Sequence, residues 1–73
     1  MNNILYIRIE ERDIGLWYTS WVLDYSFNGK DWETYLVART PGEAQRMSFN
    51  LVDDLNKQHG IEFKEQRDWK WQG

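Results

Sequence analysis

Residues 4–10 read Ile-Leu-Tyr-Ile-Arg-Ile-Glu, with Leu5, Ile7 and Ile9 on one parity and Tyr6, Arg8 and Glu10 on the other. A period of two is that of a strand with one buried face, so the first element is predicted as β. Residues 16–27 repeat the pattern: Trp17, Trp21, Leu23, Tyr25 and Phe27 share one parity, and Tyr18, Val22, Asp24 and Ser26 the other. This predicts a second strand, long and aromatic. Asn28-Gly29 follows, the dipeptide that best tolerates the two positive φ angles of a type I′ turn, and predicts a two-residue hairpin loop. In that register Tyr25 faces Trp32, Leu23 faces Thr34 and Trp21 faces Leu36, while Asp24 meets Glu33 and Ser26 meets Asp31 on the reverse. Like charges directly opposed are unfavourable unless a cation lies near, so the Asp24/Glu33 pair asks for an explanation. A three-residue loop with a bulge at Gly29 shifts the register by one and removes the clash. Both registers remain open.

At Thr40 the period changes to that of a helix. Thr40-Pro41-Gly42-Glu43 combines a capping hydroxyl, a Pro at the first helical position and a Glu three residues after the cap. Ala44, Met47, Ser48, Leu51, Val52 and Leu55 recur at spacings of three and four, and His59-Gly60 supplies a basic last turn and a left-handed stop. The helix is therefore predicted over Pro41 to His59. Burying its large aliphatic side chains stabilises the fold by roughly 1.5–3 kcal/mol each. After Gly60, Ile61 and Phe63 alternate with Glu62 and Lys64, and aromatics return at Trp69 and Trp71, which predicts a fourth strand. The expected fold is α+β with βββαβ order, a four-stranded, mostly antiparallel sheet of order 3-2-1-4 with one helix packed on one face. Strand four then lies beside strand one, as crossover rules favour. Residues 1–73 read as a single compact domain.

The stretch Tyr25-Ser26-Phe27-Asn28-Gly29-Lys30-Asp31-Trp32 resembles the Tyr-Ser-x-Asp-Gly-x-x-Trp hairpin of discoidin-type and sialidase-type β domains. The resemblance implies a Tyr and a Trp packed across a tight turn and favours the two-residue register. It covers eight residues and carries over no sugar-binding function.

Composition adds a surplus of aromatic surface. Five of 73 residues are tryptophan, each with on the order of 200 Å² of side-chain surface, whereas a domain of this size buries only about 60% of its unfolded surface. Some aromatic surface is therefore expected to face a partner. Zero cysteine excludes disulfides and thiolate metal sites. No apolar run reaches membrane-spanning length and no leader pattern precedes Ile4, so a cytoplasmic location is expected, without membrane partners. His59, the lone histidine, reads as a helix-end cation, and the adjacent Asp53 and Asp54 diverge by about 100° on a helix. Asp24, Asp31 and Glu33 are the one carboxylate cluster that chemistry or a hard cation could use, and at a hairpin tip such a cluster is more often solvated. The expectation is no enzyme, no cofactor and no metal.

An open sheet face carrying Tyr6, Tyr18 and Tyr35 suits base stacking, with Arg8, Arg39, Lys64, Arg67 and Lys70 as a basic patch. A net charge of −3 argues against direct nucleic-acid binding. What remains is a protein-binding surface: Tyr6, Tyr18, Val22 and Tyr35, with Val37, form an apolar centre, Asp24, Asp31 and Glu33 an acidic rim, and Trp69 and Trp71 flank it. Such a surface fits a basic groove of a larger host protein, including one that normally holds nucleic acid, and a symmetric homodimer is the competing reading. In size and plan the chain is similar to the small accessory proteins by which phages and mobile elements inhibit host machinery, anti-CRISPR and other antidefence proteins among them. That likeness implies an inhibitor acting in the host cytoplasm. The strand order and the Thr-Pro-x-Glu-Ala helix start also resemble HicB-type antitoxins, which implies a small regulator using the exposed sheet face.

Overall fold

The computed structural model of the chain describes residues 3–13 and 19–69. The elements run β1 (Ile4–Asp13), β2 (Thr19–Ser26), β3 (Glu33–Ala38), α1 (Pro41–His59) and β4 (Lys64–Trp69), in a sheet of order β3-β2-β1-β4. β2 is antiparallel to β1 and β3, and β4 is parallel to β1. This is the α+β, βββαβ plan that the periodicity predicts.

The alternation of β1 sends Leu5, Ile7 and Ile9 beneath α1, where they are fully buried with Leu23 of β2. From the helix come Ala44, Leu51, Val52 and Leu55, and Ala38 closes the core at the end of β3. Trp21, Tyr25, Tyr35, Leu36, Met47 and Phe63 pack around that centre. α1 has the boundaries its local signals require: Thr40 Oγ1 accepts from the Glu43 N–H, and Gly60 ends the helix at φ 68°. β1 continues past Glu10 to Asp13 because Glu11 and Arg12 go on pairing with Trp21 and Ser20. Residues 16–18 of the predicted second strand lie outside the described residues.

Two expectations are corrected. The fourth strand begins at Lys64, so Ile61 and Phe63 belong to its approach. That approach is tied down by Asn56, whose Oδ1 accepts from the Phe63 N–H at 2.9 Å. The strand itself, Lys-Glu-Gln-Arg-Asp-Trp, is polar because it is an edge, where charged side chains are the usual protection of an unpaired ladder. The hairpin also departs from the two-residue turn. No non-glycine residue among those described has positive φ, so Asn28 does not adopt the type I′ conformation and only Gly29 does, at 78°. Residues 27–32 form the loop instead, organised by side chains that bond the backbone: Asn28 Oδ1 accepts from the N–H groups of Lys30 and Asp31, and Ser26 Oγ from that of Gly29.

The register follows from that loop. Tyr25 pairs with Glu33 and Asp24 with Thr34, one step from the two-residue register, as the bulged alternative requires. A further β-bulge between Leu23 and Asp24 then sets Leu23 opposite Leu36 and Trp21 opposite Ala38. The extra residue in β3 is Tyr35, which turns to the helix side and donates through its hydroxyl to Asp54 Oδ2 at 2.6 Å.

Candidate interaction site at the hairpin tip

On the sheet face away from α1, Asp24 is 2% exposed and is held by three donors. Arg8 Nη2 and Arg12 Nη2 donate to its Oδ2 at 2.9 and 2.8 Å, and Thr34 Oγ1 donates to its Oδ1 at 2.9 Å. Arg12 also donates to Glu10 at 3.1 Å. That bond, ahead of the Asp24 and Glu10 charges, holds the Arg12 guanidinium above its ordinary value despite some desolvation. Trp32 covers the network, with the Arg8 guanidinium 4.0 Å from the indole centroid. The expected Asp24/Glu33 clash is thus removed twice, by register and by cations. Two arginines and two carboxylates sum to zero, so this network is a neutral lock between β1 and β2.

The loop folds over the same face at its other end. A Cβ built on Gly29 would lie 3.5 Å from Tyr6 Cζ, so the half-buried Tyr6 ring sits under the loop. Val22 is buried opposite Val37, which is exposed. Of the apolar centre expected on this face, Tyr35 lies on the opposite side at α1. Tyr18 and Trp71 lie outside the described residues, and Trp69 closes β4 opposite Ile9 with its side chain likewise outside them. The expected acidic rim also divides. Asp24 is sealed, whereas Glu33 turns to the helix side and accepts from the Tyr25 hydroxyl at 2.7 Å.

Asp31 and Glu33 do meet around one feature. Tyr25, Ser26, Phe27, Asn28, Asp31 and Glu33 line an open cleft of about 250 Å³ at the hairpin tip. Phe27, 47% exposed, anchors it. Its ring centroid lies 5.8 Å from Tyr25, 5.3 Å from His59 and 5.6 Å from Phe63, in edge-on or tilted contacts of the favoured kind. The tip is thereby fastened to the C-terminal end of α1, and His59, predicted as a helix-end cation, also packs against these rings. Asp31 accepts from Asn28 Nδ2 at 2.8 Å. The hydrogen bond to Glu33, then burial and the neighbouring charge, raise the Tyr25 hydroxyl above its usual value.

The basic patch weighed for nucleic acid is split between faces. Arg8 is neutralised in the Asp24 network, and Arg67 lies on the helix side, bonded to Ser48 and Glu65 and stacked on Phe49. Lys70 lies outside the described residues. Among the described residues no group of three or more His, Asp or Glu is placed to hold a metal ion, and no helix is long and apolar enough to cross a membrane.

Sequence reasoning missed Phe27, Arg12 and Trp32 as organising residues. Phe27 shares the parity of the core positions but has left the strand, and Trp32 follows a loop whose length the Asn-Gly signal misstates. Arg12 stands four residues from Arg8 on a strand, hence on the same face, and that spacing was the available signal. No protein-family model, curated protein or solved structure matches the chain.

Proposed function

We propose that the chain is a non-enzymatic protein-binding module that docks on a basic surface of a larger protein, the mode of action of a small inhibitor encoded by a phage or mobile element. The observation that carries this reading is the exposed aromatic anchor Phe27 standing beside Asp31 and Glu33. Interfaces concentrate their energy in a few aromatic anchors surrounded by polar groups, and here an exposed ring stands beside two carboxylates that accept only from neutral donors, Tyr25 and Asn28. An acidic rim on a chain of net charge −3 also steers it toward a basic partner.

The test compares the wild type with Phe27→Asp and with Val37→Asp, which alters the opposite face. Phe27 lies in a loop, so a circular dichroism spectrum like that of the wild type is expected for both variants. Light scattering after size exclusion is expected to give a monomer. Capture from bacterial lysate is expected to recover one protein in fixed ratio with the wild type and with Val37→Asp, and to fail with Phe27→Asp. Capture that depends on Val37 and not on Phe27, or a stable dimer that Phe27→Asp breaks, overturns the reading.

A further inference from the structure

We propose that the hairpin-tip cleft receives an arginine side chain presented by the partner protein. This rests on the docking role above and names what that surface reads. The fold holds two of its own guanidinium groups in one common arrangement, between an aromatic ring and a carboxylate. Arg8 lies 4.0 Å from the Trp32 centroid and donates to Asp24 at 2.9 Å. Arg67 lies 4.6 Å from the Phe49 centroid and donates to Glu65. The tip supplies the same two parts a third time, with rings from Tyr25 and Phe27 and carboxylates from Glu33 and Asp31, and among the described residues no arginine or lysine lines it.

The carboxylates retain the capacity to do so. Glu33 accepts from Tyr25 through Oε2 and Asp31 from Asn28 through Oδ2, which leaves Glu33 Oε1 and Asp31 Oδ1 for incoming donors. Those existing bonds orient both carboxylates in advance, so little is lost in ordering them on binding. Arginine suits this site better than lysine. Its planar fork of donors addresses several carboxylate oxygens at once, stacks on aromatic faces and sheds its hydration more readily than an ammonium does. The size agrees: about 250 Å³ falls below the roughly 300–1,000 Å³ of small-molecule pockets and fits one side chain.

The experiment is an NMR titration of the full chain with N-acetyl-glycyl-arginyl-glycinamide and with its lysine and citrulline counterparts. The arginine peptide is expected to shift the amides of Tyr25, Phe27, Asn28, Asp31 and Glu33 in a saturable, salt-sensitive way. The lysine peptide is expected to bind several-fold more weakly and the uncharged citrulline peptide not to bind. Glu33→Gln should weaken the arginine peptide about tenfold, the effect of removing one charge-assisted hydrogen bond. Equal shifts from the citrulline peptide, shifts scattered over both faces, or unchanged binding by a folded Glu33→Gln variant overturn the assignment. The two readings separate cleanly. If Phe27→Asp abolishes partner capture while Glu33→Gln changes neither capture nor peptide shifts, the docking role stands and the arginine assignment falls. If the arginine peptide binds as expected and capture does not depend on Phe27, the cleft still reads a guanidinium, but the docking role falls and with it the partner protein as the source of that arginine.

Discussion

Asp24 shows what a single buried polar side chain does on the sheet face away from the core. A buried carboxylate is costly unless paired and fully hydrogen-bonded, and Asp24 uses both oxygens on three donors. Asp24→Ala strips Arg8 and Arg12 of their shared acceptor. Because those side chains are 19% and 36% exposed, water recovers part of the loss, and a destabilisation of about 2–3 kcal/mol is expected. A urea titration checks it, through a lower midpoint with unchanged slope. Two tyrosines make a separate, pH-dependent contribution. Tyr25 and Tyr35 donate to Glu33 and Asp54, and in each case that hydrogen bond is the first cause of a hydroxyl pKa raised above the ordinary 10.0. A group that holds its proton more tightly when folded stabilises the fold fully below its unfolded pKa and loses that contribution as pH rises through the folded one. Stability is therefore expected to hold steady up to about pH 9 and to fall beyond it, and Glu33→Gln should advance part of the tyrosinate absorbance to lower pH. A tyrosinate titration with no late component in the wild type would count against both bonds.

The helix and the hairpin differ in how far their shape is local. α1 runs between the residues its caps name, since Thr40, Pro41 and Gly60 act on backbone groups within a few positions of themselves. Gly60 is at φ 68°, where a Cβ is disfavoured, so Gly60→Ala is expected to cost about 1–2 kcal/mol in thermal or urea unfolding. Open space around that position means the cost is conformational and not steric. The hairpin has the opposite character. Its Asn-Gly signal indicates a turn, but Ser26 and Asn28 offer the backbone side-chain acceptors that a bare I′ turn lacks, and the longer loop follows. The bulge in β3 then depends on what Tyr35 finds across the sheet, namely Asp54 of α1, which no pattern within β3 encodes. β4 is a third case. Its polar sequence carries almost no strand signal, because pairing with β1 and the exposure of an edge set its character.

One helix over one sheet leaves a face to be closed by other means. The core beneath α1 is small, and Leu51 sits fully buried in it. Leu51→Ala is expected to cost 2–5 kcal/mol, of the order found for large-to-small changes in tight cores, read as a shift in the urea midpoint. A chain of this size has marginal stability, so Leu51→Asp is expected to unfold it altogether, seen as loss of the helical circular dichroism signal. The other face is closed by the Arg8–Asp24–Arg12 lock, with Trp32 and the loop laid over it. That closure moves the aromatic and acidic surface from the centre of the sheet to the hairpin tip, where Phe27 bridges to His59 and Phe63. It is why the acidic residues expected to act together part company, with Asp24 sealed and Asp31 and Glu33 lining the cleft.

By itself the sequence determined the number and order of the elements, the boundaries of α1 and most of the core. The alternation of Leu5, Ile7 and Ile9 and the three-and-four spacing of Ala44 to Leu55 are local periodicities, and burial of one face is their immediate physical consequence. Only the tertiary structure decided the register of β3, the side on which Tyr35 and Glu33 lie, and the pairing of Asp24 with two arginines. A strand turns a side chain to the opposite face with each single-residue slip, and the slip is set by contacts between residues distant in the chain.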